Sequence, residues 1–159
     1  MIFVVLGTHE LPFTRLLDEI EQLVKEEEIT EEVLVQSGHT KYESDRLKLV
    51  PFMSFEEMDQ TFDEARIVIA HGGTGSIITG VKKGKPVIAV PRLAEHGEHN
   101  DDHQLEIVEQ FDSAGHIIGT EGPSELKEAL KQAETFEAVL FKSGKEKILR
   151  MLEDFIDKV

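Results

Sequence analysis

The segment from Ile67 to Pro91 constrains the fold of this chain more than any other. It begins with an apolar strand, Ile67 to Ala70, turns over Gly72 to Gly75 into a helix that ends near Gly84, and closes with a second apolar strand, Val87 to Val90. Two buried strands joined through a helix are typical of a parallel sheet, because parallel neighbours need a crossover connection. The segment therefore predicts an α/β fold.

The rest of the chain repeats this alternation. Further strands are predicted at Ile2 to Leu6, Val33 to Val35, Leu47 to Val50 and Gly115 to Ile118. Further helices are predicted over Phe13 to Val24, Asp101 to Phe111, Ser124 to Ala133 and Lys145 to Asp157. Another helix is predicted to begin at a capping box formed by Ser54 and Glu57, with Phe55, Met58 and Phe62 facing inward. The pattern predicts one domain, 1–159, with a mostly parallel sheet and helices on both faces.

Polar loops follow four of the predicted strands. They begin at Gly7-Thr8-His9-Glu10, Gln36, His71 and Arg92. Ligands of open parallel sheets bind beyond the carboxyl ends of the strands. We therefore expect these four loops to meet at one edge and to form the binding site.

The strongest motif in these loops is His71-Gly72-Gly73-Thr74-Gly75-Ser76. Three glycines between a strand and a helix let the backbone approach a ligand closely, and the N–H groups at the helix start favour an anion such as a phosphate. A tight turn without a ligand is the alternative. The segment lacks the Gly-x-x-x-x-Gly-Lys-Ser/Thr pattern of a P-loop, the complete Gly-x-Gly-x-x-Gly of a dinucleotide site and the Gly-x-Ser-x-Gly of a serine hydrolase.

Several other side chains are candidates. Arg92 stands at the ligand end of a strand and could reach a phosphate or serve only as a surface charge. Asp102, His103 and Gln104 could hydrogen-bond sugar hydroxyls, and that use suits them better than the alternative, a metal site on His99 and His103. His9 is a candidate for proton transfer or phosphate contact, while His116 is expected on a strand in a structural role.

Composition excludes several classes of function. The formal net charge is −15, which disfavours nucleic acid and anionic membrane surfaces as partners. The chain contains no cysteine, so disulfides and thiolate metal sites are excluded. No apolar run reaches the length of a membrane span, so no direct membrane insertion is expected, and we expect the protein in the cytoplasm.

The motifs taken in order resemble those of the glycosyltransferase family 28 C-terminal domain, in its small Alg13-like and bacterial exopolysaccharide or capsule subunit forms. The resemblance rests on five stretches, Val5 to Glu10, Gln36 to Gly38, Ala70 to Ser76, Gly84 to Arg92 and Glu98 to Gln104. Each stretch alone is weak evidence for the family, whereas five in the right order are specific and cover nearly the whole chain.

The resemblance implies a Rossmann-like domain that forms half of a GT-B fold, namely the donor-binding subunit of a two-component glycosyltransferase (hexosyltransferase). The donor would be UDP-GlcNAc, UDP-galactose or UDP-glucose, used in exopolysaccharide or lipid-linked oligosaccharide synthesis without a cofactor or metal. The partner would be a membrane-associated, Alg14-like acceptor-binding subunit that recruits this chain to the inner face of the membrane.

The resemblance also implies a set of donor-binding residues. The backbone near Phe52 and Met53 would read uracil, the loop from Gly72 to Ser76 would face the diphosphate, and His103 and Gln104 would contact donor hydroxyls. Gly7, Thr8 and His71 are predicted substrate-binding residues as well. Relatives that build peptidoglycan precursors carry a ribose-binding glutamate where this chain has Gly80.

Half of an interdomain site is open to water, so we expect little or no transfer without the partner. His9 is the one catalytic candidate. The alternative function is a non-catalytic binding module that activates a partner transferase.

Overall fold

The structure is a computed structural model that describes residues 1–141. The helix predicted over Lys145 to Asp157 lies outside these residues. The strands are β1 (Ile2–Val5), β2 (Val33–Gln36), β3 (Lys48–Val50), β4 (Ile67–His71), β5 (Val87–Val90) and β6 (Ile118–Gly119). They form a parallel sheet of order β3-β2-β1-β4-β5-β6, as the alternation of strands and helices predicted.

Within residues 1–141, four α-helices connect strands and a fifth follows β6. They are α1 (Thr14–Lys25), α2 (Phe55–Glu64), α3 (Thr74–Lys82), α4 (His103–Ser113) and α5 (Leu126–Ala133). Two short 3-10 helices, Ala94–His96 and Pro123–Glu125, lie between them. The capping box predicted at Ser54 is present, with the Ser54 side chain accepting from the Glu57 N–H and the Glu57 side chain from the Ser54 N–H.

The core lies on both faces of the sheet because successive strand residues point in opposite directions. Ile2 and Val4 of β1 belong to a cluster that includes the apolar faces of α1 and α5. Phe3 and Val5 belong to a second cluster that includes apolar side chains of α2, α3 and α4. Every residue of β1, β4 and β5 except His71 is buried, so these three strands form the rigid centre of the domain.

Three local predictions need correction. Phe55 does not face inward: it is 85% exposed at the first residue of α2, whose buried residues, Thr61 and Phe62, lie in later turns. His116 is buried but lies just before β6, which begins at Ile118. Asp101 precedes α4 because its side chain accepts the His103 N–H in a turn.

The strand order places β1 beside β4 at the centre of the sheet. The chain leaves β1 towards β2 on one side, and it leaves β4 towards β5 on the other. Where the connections diverge, a crevice forms beyond the carboxyl ends of the strands. The loops after β1 and β4, which carry Gly7 and His71, therefore line that crevice.

Candidate functional site

A cleft of about 1020 Å³ occupies the carboxyl edge of the sheet. As the sequence predicted, the loops after β1, β4 and β5 meet there with Gln36 at the end of β2, and Phe52 and Met53 after β3 line the cleft as well. The predicted binding residues that line it are Gly7, Thr8, His9, Phe52, Met53, His71, Gly73, Thr74, Gly75, Ser76 and Gln104. Their contact with a ligand remains a prediction.

The three glycines of the loop after β4 have different environments. A Cβ on Gly72 would come 2.8 Å from Cβ of Gln104, and one on Gly73 would come 2.3 Å from Cε1 of His71. A Cβ on Gly75 would meet nothing within 4 Å. Packing of the chain therefore requires glycine at positions 72 and 73. Gly75 instead borders the open space of the cleft, which leaves room for a ligand next to its backbone.

The start of α3 is the part of the cleft best suited to an anion. Its N-cap is Gly73, which has no side chain to bond the first N–H groups, whereas α2 has a complete capping box. The first backbone bond of the helix runs from the Ile77 N–H to the Gly73 carbonyl. The N–H groups of Thr74, Gly75 and Ser76 therefore have no intrahelical acceptor, and the helix dipole adds positive potential at the same place.

His71 is held between backbone segments at the floor of the cleft. Its imidazole is close enough to Gly7 and Gly73 that a Cβ at either position would overlap it. Burial, together with the charge of Arg92, lowers the pKa of His71 to about 3, although a hydrogen bond with Gln104 acts in the opposite direction. His71 is therefore neutral at pH 7, and its neutral ring fits between the two glycines without a counter-ion.

Two buried glutamine amides hold the loops of the cleft in place. The side-chain oxygen of Gln104 accepts the N–H of Gly72 at 2.9 Å and the N–H of Arg92 at 3.0 Å, which ties the loop after β4 to the loop after β5. The amide of Gln36 pairs with both backbone groups of Gly7 and also donates to the Pro51 carbonyl at 3.0 Å. The Gly72 N–H is thereby occupied inside the protein, and Gly72 does not line the cleft.

Arg92 does not face the cleft, contrary to its predicted contact with a phosphate. Its guanidinium is buried and donates to the carbonyls of Leu6 and Leu11 at 2.7 Å and to that of Glu98 at 3.1 Å. It also lies 5.1 Å from the ring centre of Phe13. Arg92 turns inward because three loop carbonyls have no other donor nearby, and burial lowers its pKa to about 10.

The loop after β5 is fixed to α1 by a buried ion pair. Glu98 is 2% exposed and accepts two hydrogen bonds from the Arg15 guanidinium, at 2.9 and 3.0 Å. One oxygen of the same carboxylate also accepts the Leu93 N–H at 3.1 Å. This arrangement anchors the residue next to Glu98, which is His99, against the cleft.

Asp102 and His103, which were predicted to contact the sugar with Gln104, lie outside the cleft lining. The Asp102 carboxylate accepts the Ala94 N–H at 2.9 Å and shapes the loop after β5. Nδ1 of His103 lies 3.5 Å from the Glu106 carboxylate one helical turn away. Of the three residues only Gln104 reaches the cleft, because α4 begins at His103 and directs its successive side chains to different sides.

His9 and His99 meet across the cleft floor. Their ring centres are 4.4 Å apart and their planes are inclined by 32°. Nδ1 of His9 accepts the Leu11 N–H at 3.1 Å. Burial and the neighbouring His99 lower the pKa of His9. In this geometry neutral His9 carries its proton on Nε2 and is a hydrogen-bond donor.

Several cleft residues were not among the predicted binding residues. They are Val5, Gln36, Phe55, Met58, Asp59, Phe62, Thr79, Lys82, Lys83 and His99. Gln36 directly follows a buried strand, and this polar position at the ligand edge was a usable signal. Phe55 shares its helical spacing with core residues, so its place in the cleft could not be predicted from the pattern.

Within residues 1–141, no three histidine or acidic side chains are grouped to hold a metal ion. None of the helices in the same range is both long and apolar enough to span a bilayer.

With this geometry in view, comparisons with known proteins identify the family. The glycosyltransferase family 28 C-terminal domain matches residues 1–159, the whole chain. The chain therefore belongs to this family.

Relatives of known name point in the same direction. The chain is 30% identical over 118 residues to the UDP-N-acetylglucosamine transferase subunit ALG13 of Candida glabrata, and 27% identical over 81 residues to that of Candida albicans. These matches cover 73% and 51% of this chain, but only 54% and 26% of the two relatives. The chain thus spans about half the length of the first relative and a quarter of the second.

Solved structures share the fold. An NMR structure of ALG13 superimposes with a TM-score of 0.61 at 19% identity, over 95% of this chain and 94% of the other. The glycosyltransferase of kitacinnamycin also gives 0.61 at 15% identity, over 99% of this chain and 38% of the other. The predicted fold class is therefore confirmed: the chain has the fold of the C-terminal half of a GT-B glycosyltransferase.

Proposed function

We propose that this chain is the UDP-sugar-binding half of a glycosyltransferase whose acceptor-binding half is a separate, membrane-associated subunit. The observation that carries the proposal is the start of α3, where the uncapped N–H groups of Thr74, Gly75 and Ser76 line a cleft at the switch point of the sheet. The names of the ALG13 relatives, which are UDP-N-acetylglucosamine transferase subunits, favour UDP-GlcNAc as the donor.

The diphosphate of the donor would lie at the start of α3. Helix N–H groups and the helix dipole stabilise negative charge there, and they would stabilise the UDP leaving group as its charge develops during transfer. Gly75 supports this placement, since its open space lets a phosphate approach the backbone without a clash.

The uracil would lie near Phe52 and Met53, at the opposite wall of the cleft. Phe52 is 55% exposed, and its ring meets that of His39 at 5.2 Å in an edge-on contact. An aromatic ring held at the rim offers a flat apolar surface to a base, and the nearby backbone offers hydrogen bonds to its edge. A cleft of about 1020 Å³ has room for a nucleotide and an attached sugar.

Catalysis would require the partner subunit. His9 was the catalytic candidate, but its Nδ1 accepts the Leu11 N–H, so its other ring nitrogen donates and is not a free base. Asp59, a carboxylate that lines the cleft, is paired with Lys83 at 2.9 Å. We therefore assign the general base to the partner, which would also cover the exposed rings of Phe52 and Phe55.

Such a complex would act in exopolysaccharide or lipid-linked oligosaccharide synthesis, where the acceptor is held at a membrane. The chain itself would then need no membrane-binding surface, in agreement with its net charge of −15.

Calorimetric titration of the purified chain with UDP, UDP-GlcNAc, UDP-galactose and UDP-glucose tests the donor site. We expect UDP to bind and UDP-GlcNAc to bind most tightly of the three sugars. Failure of all four to bind would refute the donor-site proposal. A preference for UDP-galactose or UDP-glucose would retain the site and replace the sugar.

Transfer assays test the division of labour. We expect little transfer by the chain alone and strong transfer once the partner subunit is added. Rapid transfer by the purified chain without a partner would refute the two-subunit proposal.

A further inference from the structure

The stacked pair of His9 and His99 lies in the same cleft as the start of α3. The two rings come from opposite sides of the switch point: His9 follows β1, and His99 belongs to the loop after β5. Glu98 and Arg15 anchor the second loop to α1, and the backbone of Leu11 fixes the ring of His9. The two imidazoles are thus held against each other by separate sets of contacts, in the cleft where the diphosphate is proposed to bind.

Among the residues that the structure describes around this cleft, the lysine and arginine side chains lie away from the start of α3. Arg92 donates to backbone carbonyls below the floor. Lys83 pairs with Asp59 and Asp63 at 2.9 and 2.7 Å. Lys82 lines the cleft, but it is the last residue of α3, roughly 12 Å along the helix axis from its start. A diphosphate at the start of α3 would therefore meet helix N–H groups and imidazoles before any guanidinium or ammonium group.

The charged and titratable neighbours of the pair decide which ring can take up a proton. Glu10, Asp101, Arg92 and His71 surround it, in addition to the two rings themselves. Arg92 has no acceptor, and Nδ1 of neutral His71, its acceptor nitrogen, is occupied by the Gln104 amide at 3.2 Å. The carboxylate of Asp101 lies 3.3 Å from Nδ1 of His99 and is the nearest acceptor to that nitrogen.

The two histidines therefore have different capacities. To become charged, His9 would have to protonate Nδ1 and give up the Leu11 N–H. Nδ1 of His99 accepts the Asp101 N–H in a longer contact of 3.4 Å, and the Asp101 carboxylate lies 3.3 Å from the same nitrogen. His99 would give up that N–H, protonate Nδ1 towards the carboxylate and gain an ion pair while keeping a second N–H for a ligand. Negative charge in the cleft would favour this charged form further.

We propose that His9 and His99 form a proton-linked anion site, in which a bound diphosphate drives the uptake of one proton from solvent by the pair and His99 carries that proton. This inference rests on the proposed function, because it takes the diphosphate of the donor as the anion. His9 remains neutral and donates from Nε2, and the charged His99 donates to the same diphosphate. Release of UDP returns the proton to solvent.

Calorimetry in buffers of different ionisation enthalpy measures this proton directly. The probe is UDP-GlcNAc, whose diphosphate has no proton of its own to gain near neutral pH. At about pH 7 we expect uptake approaching one proton per bound UDP-GlcNAc, and binding about ten- to fiftyfold tighter at pH 6 than at pH 8. A bound donor with no proton uptake and no dependence of affinity on pH would overturn this inference and leave the donor-site proposal standing.

Variants assign the proton to a residue. His99→Asn should abolish the uptake and the pH dependence while UDP-GlcNAc still binds. The matched control is His96→Asn, since His96 is an exposed histidine of the same loop that does not line the cleft; it should behave as the wild type. Uptake that persists in His99→Asn would overturn the assignment to His99.

NMR gives a second readout that does not depend on how the variants fold. At constant pH, addition of UDP-GlcNAc should move the ring signals of His99 in wild-type protein towards those of a charged imidazole and leave those of His9 neutral. Unchanged His99 signals at saturating UDP-GlcNAc would contradict the proposal. Absence of any UDP-GlcNAc binding would refute the proposed function itself, so the two failures are distinguishable.

Discussion

The two edges of the sheet use charge in opposite ways. At the amino edge, the N-terminus of Met1 pairs with Glu31 at 2.9 Å, Arg66 bridges Glu31 and Glu134, and Lys127 lies 3.3 Å from Glu28. These groups surround a small cavity of about 210 Å³ and neutralise one another. At the carboxyl edge the cleft is about five times larger, and besides the Lys83–Asp59 ion pair its polar lining includes helix N–H donors and the neutral imidazole of His71.

The difference shows what each edge is adapted for. Exposed ion pairs between protein side chains leave little capacity to attract a ligand, and they contribute modestly to stability. The carboxyl edge keeps its buried arginine and glutamines for holding loops and leaves helix N–H groups facing the cleft. An edge built in this way is already shaped for an anion before one binds.

Replacing the arginine at each edge should show the largest contrast. Arg92→Leu removes the donor to three buried carbonyls, and we expect it to lower the free energy of unfolding by about 3–5 kcal/mol. Arg66→Leu removes ion pairs of a side chain that is 47% exposed, and we expect a loss below about 1 kcal/mol. Urea denaturation measures both variants. Equal losses would remove the distinction between the two edges.

Acid should destabilise the two edges in different pH windows. The pKa of His71 is about 3 in the folded protein, against the ordinary value of 6.5 in the unfolded chain. Below pH 6.5 the unfolded chain therefore binds a proton that the folded chain does not. Stability contributed by neutral His71 is therefore lost as the pH falls from 6.5 towards 3, by up to about 1 kcal/mol per pH unit. Arg66 lowers the pKa of Glu31 from 4.5, so that ion pair is lost only as the pH falls below that value.

Urea denaturation at several pH values between 7 and 3 separates the two windows. His71→Gln should flatten the upper window and leave the lower one. Glu31→Gln should do the reverse. A His71→Gln protein that loses stability between pH 6.5 and 5 as steeply as the wild type would show that His71 is not the acid-sensitive group.

A methyl group at Gly75 should have opposite effects on the stability of the fold and on UDP-sugar binding. Gly75→Ala meets no atom of the chain within 4 Å and lies in a helix, so we expect stability to rise by about 0.5 kcal/mol. The same methyl would occupy the approach to the N–H groups of α3, and we expect UDP-sugar binding to weaken about tenfold, or by about 1.4 kcal/mol.

Gln132→Ala is the matched control for this small gain, because it exchanges an exposed residue of α5, away from the cleft, for a better helix former. It should leave donor binding unchanged, as calorimetry can show. Unchanged binding in Gly75→Ala would place the diphosphate away from the start of α3.

The sequence predicted the framework of the site better than its details. Continuous apolar runs located β1, β4 and β5 to within one residue, and the glycines located the turn into α3. Spacing failed for Phe55, because a helical period says which residues share a face but not which turns of the helix are buried.

Side-chain direction was the second source of error. Arg92 follows a strand at the ligand edge, where a phosphate contact was a reasonable prediction, yet it turns towards carbonyls of the β1 loop far away in sequence. The proximity of His9 and His99 has the same origin: 90 positions separate them, and only the packed loops bring their rings to 4.4 Å.

The sequence by itself determined the parallel sheet, the edge at which a ligand would bind and the family to which the chain belongs. These features depend on local periodicity and on short motifs, which are written directly in the order of residues. Only the tertiary structure decided which polar groups face the cleft and which support it. Each buried donor must find an acceptor among groups from distant loops, and that pairing exists only after the chain has packed.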